Sequence, residues 1–335
     1  MNFLGDKKMN LSKSKDLKEV CSMIIKTCAG LSEGEEVLLL IDESTNREII
    51  EAVLRTIDDC NAVACKIDRS TPKRPHDLPP SPVIWSFKGA DLIIDLSKYD
   101  ITHTLPMRVA LFDYGARLIN LTGKTPEDLL RPNIADIDYE EIDRQARRLV
   151  DVLESGKTFR YISPKGTNLI ADITNRSWYI LDAMAKERGV FSVFPIGEIL
   201  GSAVHGSANG KVVIEFLALF GKLKTPITMT VENSWVTKLE GGEEADKLRD
   251  MWAKVENANY VGELGGIGLN PLNAPADRID ALEVMMKLGC AHIGFGDSLD
   301  FGQRISSEMH LNGTMLDVTI EVDGKPVIAE NKILI

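Results

Sequence analysis

An α/β fold is predicted, with an N-terminal parallel-sheet α/β domain followed by a C-terminal mixed α+β domain. Three features point to it. The first half alternates short apolar runs with amphipathic helical stretches, the second half is richer in strand-like runs, and glycine crowds into that second half. Apolar runs of strand length separated by helices imply β-α-β units and parallel pairing.

Glu36 to Asp42 (EVLLLID) reads as a buried strand and Thr45 to Cys60 as an amphipathic helix, with Asp42-Glu43-Ser44-Thr45 supplying its N-cap. Ala62 to Ile67, Ala90 to Ser97 and Ala116 to Thr122 read as further strands. Pro72 to Pro82, with five prolines, reads as a loop. Ile137 to Glu154 is a charged amphipathic helix stopped by Ser155-Gly156. The boundary is set there, giving an N-terminal domain over 1–160 and a C-terminal domain over 161–335. In the second domain Asn168 to Ile173, Lys211 to Phe216, Thr228 to Glu232 and Leu316 to Val322 read as strands, and Glu243 to Asn257 as the clearest helix. Glycines such as Gly262, Gly265, Gly266, Gly294 and Gly296 allow sharp turns and close backbone approach.

Hydrophobic residues make up 44% and charged residues 27%, ordinary for a soluble globular chain. The formal charge of −11 argues against nucleic acid and anionic membrane surfaces, which reward positive charge. No run approaches the roughly 20 apolar residues of a membrane span, and Met1 to Lys15 holds no apolar stretch of the kind found in a secretory leader. The five cysteines form no C-x-x-C pair, and Cys21 and Cys28 fit buried packing. A reduced, cytoplasmic setting is expected. There is no G-x-G-x-x-G after the first strand and no G-x-x-x-x-G-K-[ST] anywhere, so a nucleotide site has no support.

Five histidines are present. His76, between prolines, and His103, beside threonines, read as solvated or incidental. His292 begins His292-Ile293-Gly294-Phe295-Gly296-Asp297, a strand running into a loop, where sites are commonly built. On a strand, residues two apart share a face, so Glu308, His310 and Asn312 would project together. Imidazole with carboxylate suits a divalent transition metal. Glu198 and Glu263 sit in apolar, glycine-rich stretches, where a carboxylate is costly to bury unless paired or metal-bound. Each of these residues alone has an ordinary structural explanation: a satisfied core histidine or a turn carboxylate.

Taken together, these stretches resemble the thermophilic-type metallo-aminopeptidases (aminopeptidase T and S, with leucyl aminopeptidase) and the wider superfamily that includes dihydroxypyridine dioxygenases. Phe194-Pro195-Ile196-Gly197-Glu198 with Gly206-Ser207-Ala208-Asn209-Gly210 is similar to the family's P-x-G-E segment and its G-S-A-x-G turn. Gly262-Glu263-Leu264, His292-Ile293-Gly294-Phe295-Gly296 and His310-Leu311-Asn312 are similar to its G-E-L, H-I-A-L-G and H-x-D segments. The likeness covers about Phe194 to Ile328, and the first half matches only in α/β character.

The resemblance implies Glu198, Glu263, His292 and His310, with Asn312 at the remaining position, as ligands to one or two divalent metal ions (Zn, Mn, Co or Fe), and a homodimer. Two departures stand out. Asn312 replaces the aspartate of H-x-D, offering one neutral oxygen where a bridge offers two anionic ones. Leu299 replaces a tyrosine expected seven positions after His292. In the dioxygenase branch a single iron is held by two histidines and an aspartate, with a histidine at the position of Glu263 and none at His292.

Ligand identity therefore ranks a metal-dependent hydrolase first, an aminopeptidase-like enzyme cleaving an amide, peptide or related C–N bond of a peptide or small molecule. Metal-activated water would attack, and Glu198, or else Glu308, would shuttle the proton. Asp297 is expected either to orient a histidine or substrate amine, or to hold a turn, and His205 to line the same pocket. Ring cleavage at a mononuclear non-haem Fe(II) is the alternative, and a non-catalytic member with a degraded metal site is a third reading.

Overall fold

The computed structural model describes residues 16–73, 77–102, 104–271 and 281–335. His76 and His103 lie outside the described residues. The chain divides into two compact units. One comprises the residues up to Ile137 together with Met184–Phe194, and the other comprises Asp138–Ala183 together with Pro195–Ile335.

The first unit is built on a five-stranded sheet in the order Val63–Asp68, Glu36–Ile41, Leu92–Asp95, Arg117–Asn120, Phe191–Val193. All four pairings are parallel, as the apolar runs predict for the first four strands, and the fifth, Phe191–Val193, is not among the predicted ones. In chain order this is 2-1-3-4-5, a doubly wound arrangement. Leu92–Asp95 and Arg117–Asn120 are buried along their whole length, as strands covered on both faces are. Leu38, Leu40, Phe87, Ile93, Met107, Leu111 and Leu118 form one continuous core.

Two local expectations change. The helix after the first strand spans Arg47–Asp59 and is capped by Asn46, whose side chain accepts from the Glu48 amide. The cap must directly precede the first helical residue, so Asp42 is too early and instead accepts from Ser44 and Lys98. The proline-rich stretch ends in a short helix, Ser81–Ser86, with Pro82 in its first turn, where a missing N–H costs nothing.

The second unit holds the helix Tyr139–Ser155 and a 13-stranded antiparallel sheet. Its helix buries Tyr139, Ile142, Ala146, Leu149 and Leu153, a stripe at helical spacing. The middle of the sheet matters most here. Four strands lie side by side in the order His310–Met315, Ala291–Gly296, Val261–Gly268, Glu198–Gly201. The last predicted strand begins at Thr319 rather than Leu316, and the helix from Glu243 ends at Trp252. No disulfide joins the cysteines among the described residues, and Cys21, Cys28 and Cys290 are buried. Among the described residues no helix is long and apolar enough to cross a membrane.

Candidate metal centre

Each of the four adjacent strands contributes one ionisable residue, and each of these stands across the ladder from a glycine. Glu198 pairs with Gly268, Glu263 with Gly294, His292 with Gly266, and His310 with Gly296. Two of the glycines are there for space. A Cβ on Gly266 would sit 2.2 Å from the His292 ring. One on Gly294 would sit 2.7 Å from Glu263 Oε2 and 2.8 Å from His310 Cε1. The imidazoles and the Glu263 carboxylate therefore lie across neighbouring strands, over positions where any side chain would displace them.

His292 Nε2 is 3.1 Å from Glu263 Oε1, His310 Nε2 is 3.4 Å from Glu263 Oε2, and His292 Nδ1 is 3.8 Å from Glu198 Oε2. Glu263 and His292 are each 1% exposed, and Glu198 is 5% exposed. Such burial of charge is tolerated only with compensation. Burial works against ionisation of Glu263, but the two imidazoles outweigh it and hold its carboxyl down at about 2. Glu198 is pushed up to about 7, mainly by burial; His292 opposes the rise and Glu263 adds to it. Burial disfavours the charged form of both histidines, yet Glu263 raises each of them above the ordinary imidazole value.

His310 Nδ1 lies 3.0 Å from the Asp297 carbonyl oxygen. A carbonyl only accepts, so Nδ1 carries a proton, and in the neutral ring Nε2, on the Glu263 side, is the nitrogen whose electron pair a metal ion would take. Phe301 stacks on the His310 ring at 5.8 Å between centroids. Asp297 thus acts through its backbone, while its carboxylate accepts from the Ser307 amide and holds a turn.

The fit to a metal ion can be tested on these atoms. Glu198 Oε2, His292 Nδ1 and Asn312 Oδ1 are buried without a hydrogen-bond partner, a cost of about 1–3 kcal/mol each. Two ligands about 2.1 Å from one ion stand about 3.0–3.4 Å apart for coordination angles between 90° and tetrahedral. The separations of 3.1 and 3.4 Å fall in that range, and 3.8 Å lies just outside it. As placed, His292 turns one nitrogen to each carboxylate, and no group of three or more His, Cys, Asp or Glu among the described residues is set to hold an ion as it stands. The donor set fits a divalent transition ion in chemistry and near-spacing, and the His292–Glu263 hydrogen bond is the contact an ion would replace.

Other expected participants stand elsewhere. Glu308 precedes the strand His310–Met315 and is exposed, so the shared strand face does not extend to it. Leu299 is exposed in a short turn. His205 is bound by Tyr260 and lines a different group of residues, Arg176 and Gln303 among them. Sequence reading missed the glycines opposite the site, Phe301 against His310, and Tyr161, whose buried hydroxyl donates to the Leu264 carbonyl (2.6 Å) one residue from Glu263. Only the glycines carried a signal, their density.

A family model described as NicX, 2,5-dihydroxypyridine 5,6-dioxygenase, matches residues 16–335. The chain belongs to this family. Among solved structures it is similar to the 2,5-dihydroxypyridine dioxygenase from Pseudomonas putida KT2440, with a TM-score of 0.79 at 17% identity, covering 95% of this chain and 96% of that one. It is also similar to wild-type AmpT from Thermus thermophilus, with a TM-score of 0.68 at 15% identity, covering 95% and 99%. Both likenesses span nearly the whole chain and show a shared fold. No curated protein matches by sequence.

The expected ranking is overturned. The family match across both units replaces the metallohydrolase of aminopeptidase type with the dioxygenase family. The reason is physical. Ranking by ligand identity weighs a handful of side chains, whereas the family match rests on the pattern of residues 16–335.

Proposed function

We propose that this protein is a mononuclear non-haem iron dioxygenase that opens a hydroxylated aromatic ring of the dihydroxypyridine class. Family membership over residues 16–335 carries the reading. The side chains supply what such a centre needs, two imidazoles and a carboxylate: His292, His310 and Glu263, within 3.1–3.4 Å of one another along the carboxylate. For the dioxygenase branch, the resemblance set out above puts a histidine at position 263 and none at 292. Here Glu263 and His292 stand at those positions, so two histidines and a carboxylate are still available.

When bound, iron supplies the one-electron chemistry that lets dioxygen react with an aromatic ring. The protein's part is distinct. Asp297 holds His310 in one tautomer through its carbonyl, which fixes the nitrogen offered to the centre. Gly266 and Gly294 keep the ring and carboxylate space open. Glu198, buried and with its carboxyl near 7, is suited to take a proton from a substrate hydroxyl at Oε2, the oxygen without a partner.

The test is oxygen consumption by protein reconstituted anaerobically with Fe(II) and then mixed with 2,5-dihydroxypyridine and related hydroxypyridines. Uptake of one O₂ per ring opened, with one iron per chain, is expected. Iron bound without any oxygen uptake across that series, or failure to bind iron at all, overturns the proposal.

A further inference from the structure

The second unit carries a pocket of about 410 Å³ whose lining includes Arg176, Arg304, His205, Gln303, Thr174 and Asn175. It holds two guanidiniums and no carboxylate, in a chain whose formal charge is −11. A local reversal of sign in an acidic protein focuses anions. The volume lies in the usual range for a small-molecule site, about 300–1,000 Å³.

The donors are set by the structure. Arg176 is braced: Nε donates to the Ser202 carbonyl (3.3 Å), and Nη2 donates to Ser202 Oγ and to the Phe301 carbonyl (2.7 Å). Its Nη1 makes no hydrogen bond among the described residues. Arg304 is exposed and has no ion-pair partner among them. The Tyr260 hydroxyl accepts from the Gly206 amide (3.3 Å) and donates to Gln303 Oε1 (3.4 Å), and His205 Nδ1 lies 2.8 Å from that hydroxyl and 3.3 Å from Gln303 Oε1. The Gln303 side chain is pinned by the Ala203 carbonyl and by Tyr260.

The pocket adjoins the candidate centre along the chain. Phe301 stacks on His310 at 5.8 Å, and Gly302, Gln303 and Arg304 follow it directly into the pocket wall. Ser202 and Arg176 both hold the Phe301 carbonyl, so the wall and the stacked ring are fixed to one another.

We infer that this pocket binds the carboxylate of a small aromatic substrate, with Arg304 and Arg176 as the anion-recognising pair. Two guanidiniums match the planar, two-oxygen geometry of a carboxylate. That the ring is a hydroxypyridine rests on the oxygenase reading; recognition of the carboxylate does not.

Binding is measured by calorimetry without oxygen, using benzoate and benzamide, which differ in charge but hardly in shape, with inorganic phosphate as a third probe. Benzoate is expected to bind at least about tenfold tighter than benzamide, the worth of a charged hydrogen bond, and tighter than phosphate. R304Q removes that preference at unchanged Tm, and R304K retains part of it. Equal affinity for benzoate and benzamide overturns the inference, as does an R304Q variant that still prefers benzoate. Phosphate binding as tight as benzoate overturns the aromatic-carboxylate assignment. Oxygen uptake with hydroxypyridines is followed separately. Its absence beside an Arg304-dependent preference for benzoate removes the oxygenase reading and supports this site.

Discussion

In the first unit Asp95 is fully buried at the end of its strand, and its Oδ1 accepts from the Ser97 amide (3.0 Å) and hydroxyl (2.5 Å). In the second unit Glu263 is buried as deeply, yet its oxygens face imidazoles, His292 at 3.1 Å and His310 at 3.4 Å. The consequences diverge. Burial pushes Asp95 up to about 6, because its neutral donors only partly offset the loss of water and Arg69 adds little. Imidazoles drive Glu263 down to about 2. Asp95 Oδ2, which has no partner, is the oxygen left to carry a proton. A buried carboxyl tied to its own loop can be neutral and hold a turn. One surrounded by imidazoles stays anionic and is ready for a cation.

The largest expected effect comes from filling the space around His292. Gly266→Ala puts a methyl group 2.2 Å from that ring. The ring must leave its position, so bound iron falls from about one per chain to near zero and ring-opening activity falls with it. Overpacking adds a stability loss of about 1–3 kcal/mol. Metal analysis and a thermal melt on the same sample separate the two effects. Retention of full iron content by this variant removes His292 from the centre. His310→Ala is the companion, expected to lower iron affinity by at least about 100-fold, since it removes a ligand where loss of a mere supporting group costs 10–100-fold. It carries less structural cost because the ring is partly exposed.

The same contrast explains what was legible in the sequence. The parallel sheet was readable because its inner strands Glu36–Ile41 and Leu92–Asp95 are apolar runs, EVLLLI and LIID, buried almost throughout. The residues brought together at the candidate centre were readable because glutamate and histidine inside glycine-rich apolar segments are costly without a purpose. Which glycine serves which side chain was not readable. That depends on register, and the Val261–Gly268 strand is bulged twice, between Val261 and Glu263 and between Glu263 and Gly266. Each bulge shifts the pairing, so no count along the sequence places Gly266 opposite His292. Arg176 and Phe301 were hidden for a similar reason: their roles arise from contacts 26 and 125 residues away. The hydrolase expectation failed where ligand positions were weighed above the pattern of the whole chain.

A middling effect, on stability alone, tests the first unit. Folded Asp95 holds its proton up to about pH 6, whereas an unfolded aspartate releases it near 3.9. The folded state therefore binds the extra proton between those values, and the contribution of Asp95 to stability falls as pH rises from about 4 to about 6, then stays flat. Asp95→Asn keeps an oxygen acceptor for Ser97 and removes the titration. The variant is expected to gain on the order of 1–3 kcal/mol relative to wild type between pH 4 and pH 7, read as a Tm difference that widens across that window. Iron content should not change. A Tm difference independent of pH shows that Asp95 is ionised in the fold and removes the contrast with Glu263.

The smallest effect separates the strand face from its flank. Asn312 stands across from Gly294 with its Oδ1 buried and unpartnered, two residues beyond His310 on the same strand. Glu308 is exposed and lies before that strand begins. Glu308→Gln is thus a surface change, expected to leave folding stability within about 0.5 kcal/mol of wild type and iron content and oxygen uptake within about twofold. Asn312→Asp, by contrast, places a second anionic oxygen set beside Glu263 and should tighten iron binding by roughly tenfold, the worth of one charge-assisted contact. If Glu308→Gln lowers iron affinity and Asn312→Asp leaves it unchanged, the centre draws its extra carboxylate from the flank. The ligand set would then be His292, His310, Glu263 and Glu308, and the unpartnered Asn312 oxygen would have another purpose.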